Sequence, residues 1–199
     1  MNVKQLLDLG GKTALVTGGS RGLGLQIAEA LGEMGARLAI TARKKDELDQ
    51  AVSRLGSGTR AFVSDIGKRE SIAPLAEAVL KDFGKIDILV NNAGATWGAR
   101  AEEHPLDAWD KLVNVNLSGL FALTQIVARR SMIPARWGRI INVASVAGLL
   151  GQDPRFAPTA AYTATKHGVV GLTRQLAPPS GASTASRSMR SARASSRRR

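Results

Sequence analysis

The stretch Thr17-Gly18-Gly19-Ser20-Arg21-Gly22-Leu23-Gly24 constrains this chain more than any other. It follows Thr13-Ala14-Leu15-Val16, an apolar run that reads as a buried strand. It precedes Leu23, Ile27, Leu31 and Met34, which recur at helical spacing. The glycines therefore sit where a strand turns into a helix. Glycine has no Cβ, so it takes φ > 0 and lets another group approach the backbone. The free N–H groups of a helix start, reinforced by the helix dipole, favour an anion such as a pyrophosphate. The alternative is a tight strand–helix turn with no ligand, and the motifs downstream decide between the two.

The same alternation runs to about residue 176. Ala36–Thr41, Arg60–Val63, Ile86–Asn91 and Arg139–Ala144 read as further strands. Asp46–Leu55 reads as a helix with Leu48, Val52 and Leu55 on one face. Ile72, Leu75, Ala76, Val79 and Phe83 mark another, Leu106–Met132 a long helical region, and Ala160–Leu176 the last. Strands separated by helices imply a doubly wound parallel sheet with helices on both faces. Ligands of such sheets bind beyond the carboxyl ends of the strands, where the strand order reverses. Gly151–Thr159, with Asp153, Pro154 and Pro158, breaks the rhythm and reads either as a solvated connector or as a loop shaping a substrate site.

Composition narrows the possibilities. With 199 residues the chain is long enough for one domain with a sizeable core, and 44% hydrophobic content suits a globular protein. There is no cysteine, and the two histidines do not cluster, so no metal site is expected. No apolar run approaches the length of a membrane span, and no signal-peptide layout opens the chain, so a cytoplasmic protein is expected. The formal net charge of +12 would suggest nucleic acid, but its distribution weakens that reading. Residues 178–199 carry six arginines and no acid, whereas the remainder holds 22 cations against 16 acids.

Chemistry-bearing residues fall at the strand ends or on the helices after them. Asp65 follows the third strand, where it can accept from an adenine amino group or cap the next turn. Asn91-Asn92-Ala93-Gly94 closes the fourth strand, with small residues for a flat ligand and asparagines to brace neighbouring strands. A dinucleotide fold for NAD usually ends its second strand in Asp or Glu to hold the ribose 2′-hydroxyl. Here that position is Ala42, followed by Arg43 and Lys44, and Arg21 lies inside the glycine loop. Cations without an acid suit a 2′-phosphate, so NADP is expected over NAD.

Tyr162 is the only tyrosine, and Lys166 lies one helical turn on, so both face one side of a helix. A nearby ammonium favours the phenolate, and a tyrosine so tuned exchanges a proton near neutral pH, as carbonyl reduction needs. Ser145, at the end of the fifth strand, can hydrogen-bond a reacting oxygen. Asn116, inside the long helix, can hold a water linking Lys166 to solvent.

In this order the motifs resemble a short-chain dehydrogenase/reductase of the classical type, over residues 11 to about 177. The resemblance rests on Thr17-Gly18-x-x-x-Gly22-x-Gly24, Asn91-Asn92-Ala93-Gly94, Asn116, Ser145, Tyr162 and Lys166. It implies a Rossmann-like α/β fold, hydride transfer between a nicotinamide cofactor and a small ketone or secondary alcohol, and homodimers or homotetramers. It implies Asn116, Ser145, Tyr162 and Lys166 as catalytic. Gly18, Ser20, Arg21, Gly22, Leu23, Gly24, Arg43, Asp65, Ile66, Asn92, Ala93 and Gly94, with Tyr162 and Lys166, are implied as cofactor-binding. Within the family the chain looks similar to 3-oxoacyl-acyl-carrier-protein reductases and gluconate 5-dehydrogenases. Gly94-Ala95-Thr96-Trp97-Gly98 and the insertion between Ser145 and Tyr162 lean toward the latter.

After Leu176-Ala177 the pattern departs from that family, which would continue into a strand with an Asn-Ala-x-x-Pro-Gly-like end. Here Pro178-Pro179-Ser180-Gly181 gives way to Ser, Ala and Arg, a composition that forms no packed core. Reading the codons one base out of frame accounts for this. Pro179–Gly181 then permits Ala-Glu-Trp, and Ser188–Ser196 permits Val-Asn-Ala-Ile-x-Pro-Gly-Phe-Phe. Residues 178–199 are accordingly expected to be a frameshifted tail, and the sheet to lack the last two strands. On that expectation the chain as written would be aggregation-prone and poorly active. Two readings compete with an enzyme. One is an inactive dinucleotide-binding protein. The other is a nucleic-acid binder acting through the basic tail, which has no aromatic residue for base stacking.

Overall fold

Five short strands form where the sequence offers apolar, β-branched runs: β1 (Thr13–Thr17), β2 (Arg37–Ala42), β3 (Thr59–Val63), β4 (Ile88–Asn91) and β5 (Arg139–Asn142). The structure, a computed structural model, describes residues 3–177. All pairings are parallel, in the order β3-β2-β1-β4-β5. The chain winds outward from β1 through β2 to β3, then returns to place β4 on the other side of β1. The strand order thus reverses between β1 and β4. The helices are α1 (Val3–Leu7), α2 (Gly22–Glu33), α3 (Lys45–Leu55), α4 (Arg69–Phe83), α5 (Leu106–Ala135) and α6 (Ala160–Leu176). This is the expected Rossmann-like doubly wound α/β sheet. The expectations placed on residues 178–199 lie outside the described residues.

The period of two in β1 splits the core between two faces. Leu15 joins Ile72, Leu75, Val79 and Phe83 of α4 and Leu123, Val127 and Met132 of α5. Ala14 and Val16 join Ala28 of α2 and Leu48 and Ala51 of α3 on the other face. All five apolar positions expected to mark α4 are buried.

In α2 half of the expected stripe holds, Ile27 and Leu31 packing against the core. Gly24 and Ala28 face inward, while Leu23 and Met34 remain 54% and 38% exposed. The reason is how closely this helix approaches β1. A Cβ at Gly24 would lie 2.1 Å from the carbonyl oxygen of Gly18, so no side chain fits at that first turn.

Strand boundaries shift where side chains take over backbone partners. β4 was expected from Ile86, but the Ile86 N–H donates to Ser131 Oγ at 2.8 Å, and that hydroxyl donates back to the Ile86 carbonyl at 3.0 Å. β5 was expected to reach Ala144, but after Asn142 the carbonyl of Val143 turns to accept from Lys166 Nζ.

Helix α5 runs on to Ala135 and carries two π-helical turns, Asn114–Ser118 and Ala128–Met132. By length and composition it is apolar enough to cross a membrane, although, as expected, no unbroken apolar run within it reaches that size. Asn114, Asn116, Ser118, Thr124 and Gln125 break its middle, and Lys111, Arg129 and Arg130 stand toward its ends. Leu112, Leu120, Leu123 and Val127 bury its inner side in the core.

Candidate active site

A cleft of about 410 Å³ opens beyond the carboxyl ends of β1, β2, β3 and β4, where the strand order reverses. Gly18 has φ +65°, a conformation that residues with a Cβ rarely adopt. From there the loop is tied to β2, the N–H groups of Gly18 and Gly19 donating to Thr41 O at 2.8 and 3.2 Å. No side chain caps α2 at Arg21, so its first-turn N–H groups remain available to an anion. Gly18, Ser20, Arg21 and Gly22 line the cleft; Leu23 and Gly24 do not, Gly24 acting through the close packing of α2.

Thr17 and Asn92 fasten β1 to β4. Thr17 Oγ1 donates to Val90 O and accepts from the N–H groups of Asn92 and Ala93, both at 3.0 Å. Asn92 Nδ2 donates to the carbonyls of Thr17 and Gly18 at 3.0 and 3.2 Å. Asn91 Nδ2 donates to Thr124 Oγ1 and Asn142 Oδ1 at 3.0 and 2.9 Å, bracing β4 against α5 and β5. The bracing expected of these asparagines is present, and Asn92, Ala93 and Gly94 line the cleft beside it.

Asp65 caps its own turn: its Oδ1 accepts from the Gly67 N–H at 2.9 Å. It lines the cleft together with Ile66, which is 7% exposed and also belongs to the core. Thr41 Oγ1 and Ser64 Oγ, at the ends of β2 and β3, are buried and lack a partner among the described residues. Both residues line the cleft, where the polar atoms of a ligand would satisfy them. The glycine loop, the uncapped helix start and these orphaned hydroxyls together fit a dinucleotide.

The end of β2 departs from the sequence reading. Arg21, Arg43 and Lys44 do line the cleft, but an acid stands with them. Glu47, in the first turn of α3, lies 2.9 Å from Lys44 Nζ and 3.8 Å from Arg21 Nε. It also accepts from Ser20 Oγ at 3.3 Å. The expectation of cations without an acid is therefore corrected. Looking only at the last strand residue misses Glu47, although its i,i+3 spacing from Lys44 was there to find. Thr41, Ser64, Lys111 and Val115 were missed as well. Lys111 and Val115 come from α5, far along the chain, and carry no local signal.

At the other end of the site Lys166 is 6% exposed, and its Nζ donates to Val143 O at 2.7 Å. Burial pushes the ammonium below its ordinary pKa. The same Nζ lies 5.7 Å from the centre of the Tyr162 ring. Asn116 sits in the first π-helical turn of α5, a kind of turn that recurs at functional sites. Its Nδ2 donates to Ala95 O and Thr165 Oγ1 at 2.9 and 3.1 Å, and its Oδ1 accepts from Ala95 N at 2.8 Å. Both amide protons are thus spent, leaving one Oδ1 lone pair for a water. Ser145 Oγ accepts from the Ala147 N–H at 3.2 Å, which leaves its own proton free to donate. Its turn packs on α6: a Cβ at Gly148 would lie 2.6 Å from the Lys166 carbonyl oxygen.

Gly94 joins the two ends. It lines the cleft, and a Cβ there would lie 3.3 Å from Asn116 Oδ1 and 3.9 Å from Lys166 Nζ. Asn116, Ser145, Tyr162 and Lys166 do not line the cleft. The Gly151–Thr159 loop meets the segment after Gly94 through the Ala99 N–H, which donates to Pro158 O at 2.9 Å.

Comparison with known proteins bears on this geometry. Residues 12–183 match the family model described as short chain dehydrogenase. The chain is 41% identical over 172 residues to the D-threitol dehydrogenase of Mycolicibacterium smegmatis, a match covering 85% of this chain and 64% of that protein. It is 39% identical over 180 residues to the gluconate 5-dehydrogenase of Gluconobacter oxydans, covering 89% and 68%. It is also 39% identical over 171 residues to a 3-oxoacyl-acyl-carrier-protein reductase of Vibrio cholerae, covering 86% and 68%. A Sinorhizobium meliloti crystal structure assigned provisionally to the short-chain alcohol dehydrogenases superposes with a TM-score of 0.80 at 37% identity, covering 86% of this chain and 67% of that one. The chain spans about two thirds of the length of these relatives.

Proposed function

The chain belongs to the short-chain dehydrogenase family, and on that premise we propose that it is an NADP-dependent oxidoreductase interconverting a secondary alcohol and a ketone, with Tyr162 as the acid/base. The observation that carries the proposal is Gly94, which lines the dinucleotide cleft and also touches the surroundings of Lys166. Gly94 thus links the residues that would hold a dinucleotide to the helix that bears Tyr162 and Lys166.

When bound, the cofactor supplies or accepts the hydride. The remaining work falls to the chain's own residues. The free Ser145 proton hydrogen-bonds the carbonyl oxygen and orients it. Tyr162 gives that oxygen a proton in reduction and takes it back in oxidation. The buried Lys166 ammonium stabilises the phenolate in between. Asn116 holds the Ala95 segment against α6 and keeps one lone pair for a water on the path to solvent. Asp65 and Ile66 bound the adenine side, and Arg21 and Arg43 meet a 2′-phosphate. The names of the relatives support a polyol, sugar-acid or 3-oxoacyl substrate, and a homodimer or homotetramer is proposed with it.

A second reading, nucleotide binding without turnover, is favoured by the position of Ser145 and Tyr162 outside the cleft lining. One experiment separates the two. NADPH binding is followed by its fluorescence, and NADPH oxidation by absorbance with a panel of polyol-derived ketones and 3-oxoacyl thioesters. Binding with ketone-dependent oxidation supports the oxidoreductase. Binding without it supports the second reading, and no binding removes both.

A further inference from the structure

At the mouth of the cleft a single carboxylate stands among cations. Glu47 pairs with Lys44 at 2.9 Å and with Arg21 at 3.8 Å, and accepts from Ser20 Oγ at 3.3 Å. Its side chain is 22% exposed, against 77% for Arg21 and 63% for Lys44. The acid, in the first turn of α3, is thus the sheltered member, and the cations are the exposed ones. Arg43 lines the same mouth and makes no ion pair among the described residues.

Resting on the reading of this mouth as the seat of a 2′-phosphate, we propose that Glu47 is a specificity-determining residue, an internal rival that holds Arg21 and Lys44 and thereby limits the preference for the phosphorylated cofactor. A phosphate entering here must draw both cations from a carboxylate already within 4 Å of them. It must also sit near a like charge, which repels it at any effective dielectric. An unphosphorylated ribose meets neither obstacle. Its hydroxyl is a donor, and a carboxylate is an acceptor. So the group that opposes the phosphate accepts a hydrogen bond from the ribose that lacks it. Glu47 stays charged in this role: the hydrogen bond from Lys44, foremost, holds its carboxyl below the usual range, with burial opposing only in part. Exposed pairs of this kind are weak, so the cations are surrendered readily and the effect is a graded one.

The test uses the full chain and two nucleotides that lack nicotinamide, adenosine 2′,5′-bisphosphate and 5′-AMP, titrated by calorimetry. Glu47→Gln removes the charge and keeps the shape; Glu47→Ala serves as the second variant, and thermal melting checks that both fold. Glu47→Gln is expected to bind the bisphosphate about two- to fivefold more tightly than wild type, with 5′-AMP equal or weaker. Raising the salt should narrow the gap, since the effect is one of exposed charge. Unchanged or weaker bisphosphate binding in both variants, with binding by wild type intact, would overturn the proposal alone. Failure of wild type and variants to bind either nucleotide would overturn the cofactor reading, and the proposal with it.

Discussion

Lys166 donates from Nζ to the carbonyl of Val143 at 2.7 Å, so the residue that follows β5 and the helix bearing Tyr162 are joined by a buried cation. That placement has a measurable cost. Burial holds the ammonium below its ordinary value of 10.5 in the folded chain, whereas the unfolded chain keeps about that value. Between the two values the unfolded state binds more protons. The cost is therefore complete below the folded value and is relieved as pH rises through it toward 10.5. Wild type should gain stability relative to Lys166→Met as pH is raised from about 7 to about 10. Urea unfolding of both proteins across that range checks it; a gap that stays constant would mean that the lysine is as well solvated as in the unfolded chain.

Tyr162→Phe keeps the ring that packs beside Lys166 and removes only the hydroxyl. Ketone-dependent NADPH oxidation is expected to fall by about 10²–10⁴-fold, with NADPH affinity within about twofold of wild type. Steady-state absorbance and a fluorescence titration read the two quantities separately. Turnover retained within about tenfold would move the proton to another group.

Gly24→Ala places a methyl 2.1 Å from the Gly18 carbonyl oxygen and 2.4 Å from Asn92 Nδ2. Neither neighbour yields easily, since one is backbone and the other is held by two hydrogen bonds. The loop must shift, at a stability cost of about 1–3 kcal/mol. Nucleotide binding should weaken by about tenfold or more because the displaced loop no longer fits the anion. Chemical denaturation and the same fluorescence titration report both effects, and affinity equal to wild type would show that the loop does not set binding.

The sequence carried most of this architecture because its signals are local. β1 and the glycine loop adjoin each other, α4 shows an unbroken apolar period, and Tyr162 and Lys166 are one helical turn apart. What stayed hidden depends on distance through space. The inner side of α2 is set by how near Gly24 comes to Gly18 O, which the spacing of leucines does not encode. The start of β4 is set by a hydroxyl on α5, and the end of β5 by Lys166. Glu47 stands in the first turn of the helix after β2 and not at Ala42, the strand-end position where an acid is expected, so its approach to the cleft follows from the fold. Lys111 reaches the cleft only because α5 lies against it. Asn116 was placed correctly in a helix, but that its amide protons are spent on Ala95 and Thr165 follows from the fold alone.

We propose that the strand ends of β1 to β4 seat a nicotinamide dinucleotide carrying a 2′-phosphate. Arg43, free of any ion pair among the described residues, is its most available partner. The most direct measurement is a fluorescence titration of NADPH and of NADH into the 199-residue chain and into Arg43→Ala. Saturable binding is predicted, with NADPH tighter than NADH in wild type and the difference reduced by about tenfold in Arg43→Ala. Equal affinities that Arg43→Ala leaves unchanged would contradict the 2′-phosphate assignment, and no saturable binding of either nucleotide would contradict the account as a whole.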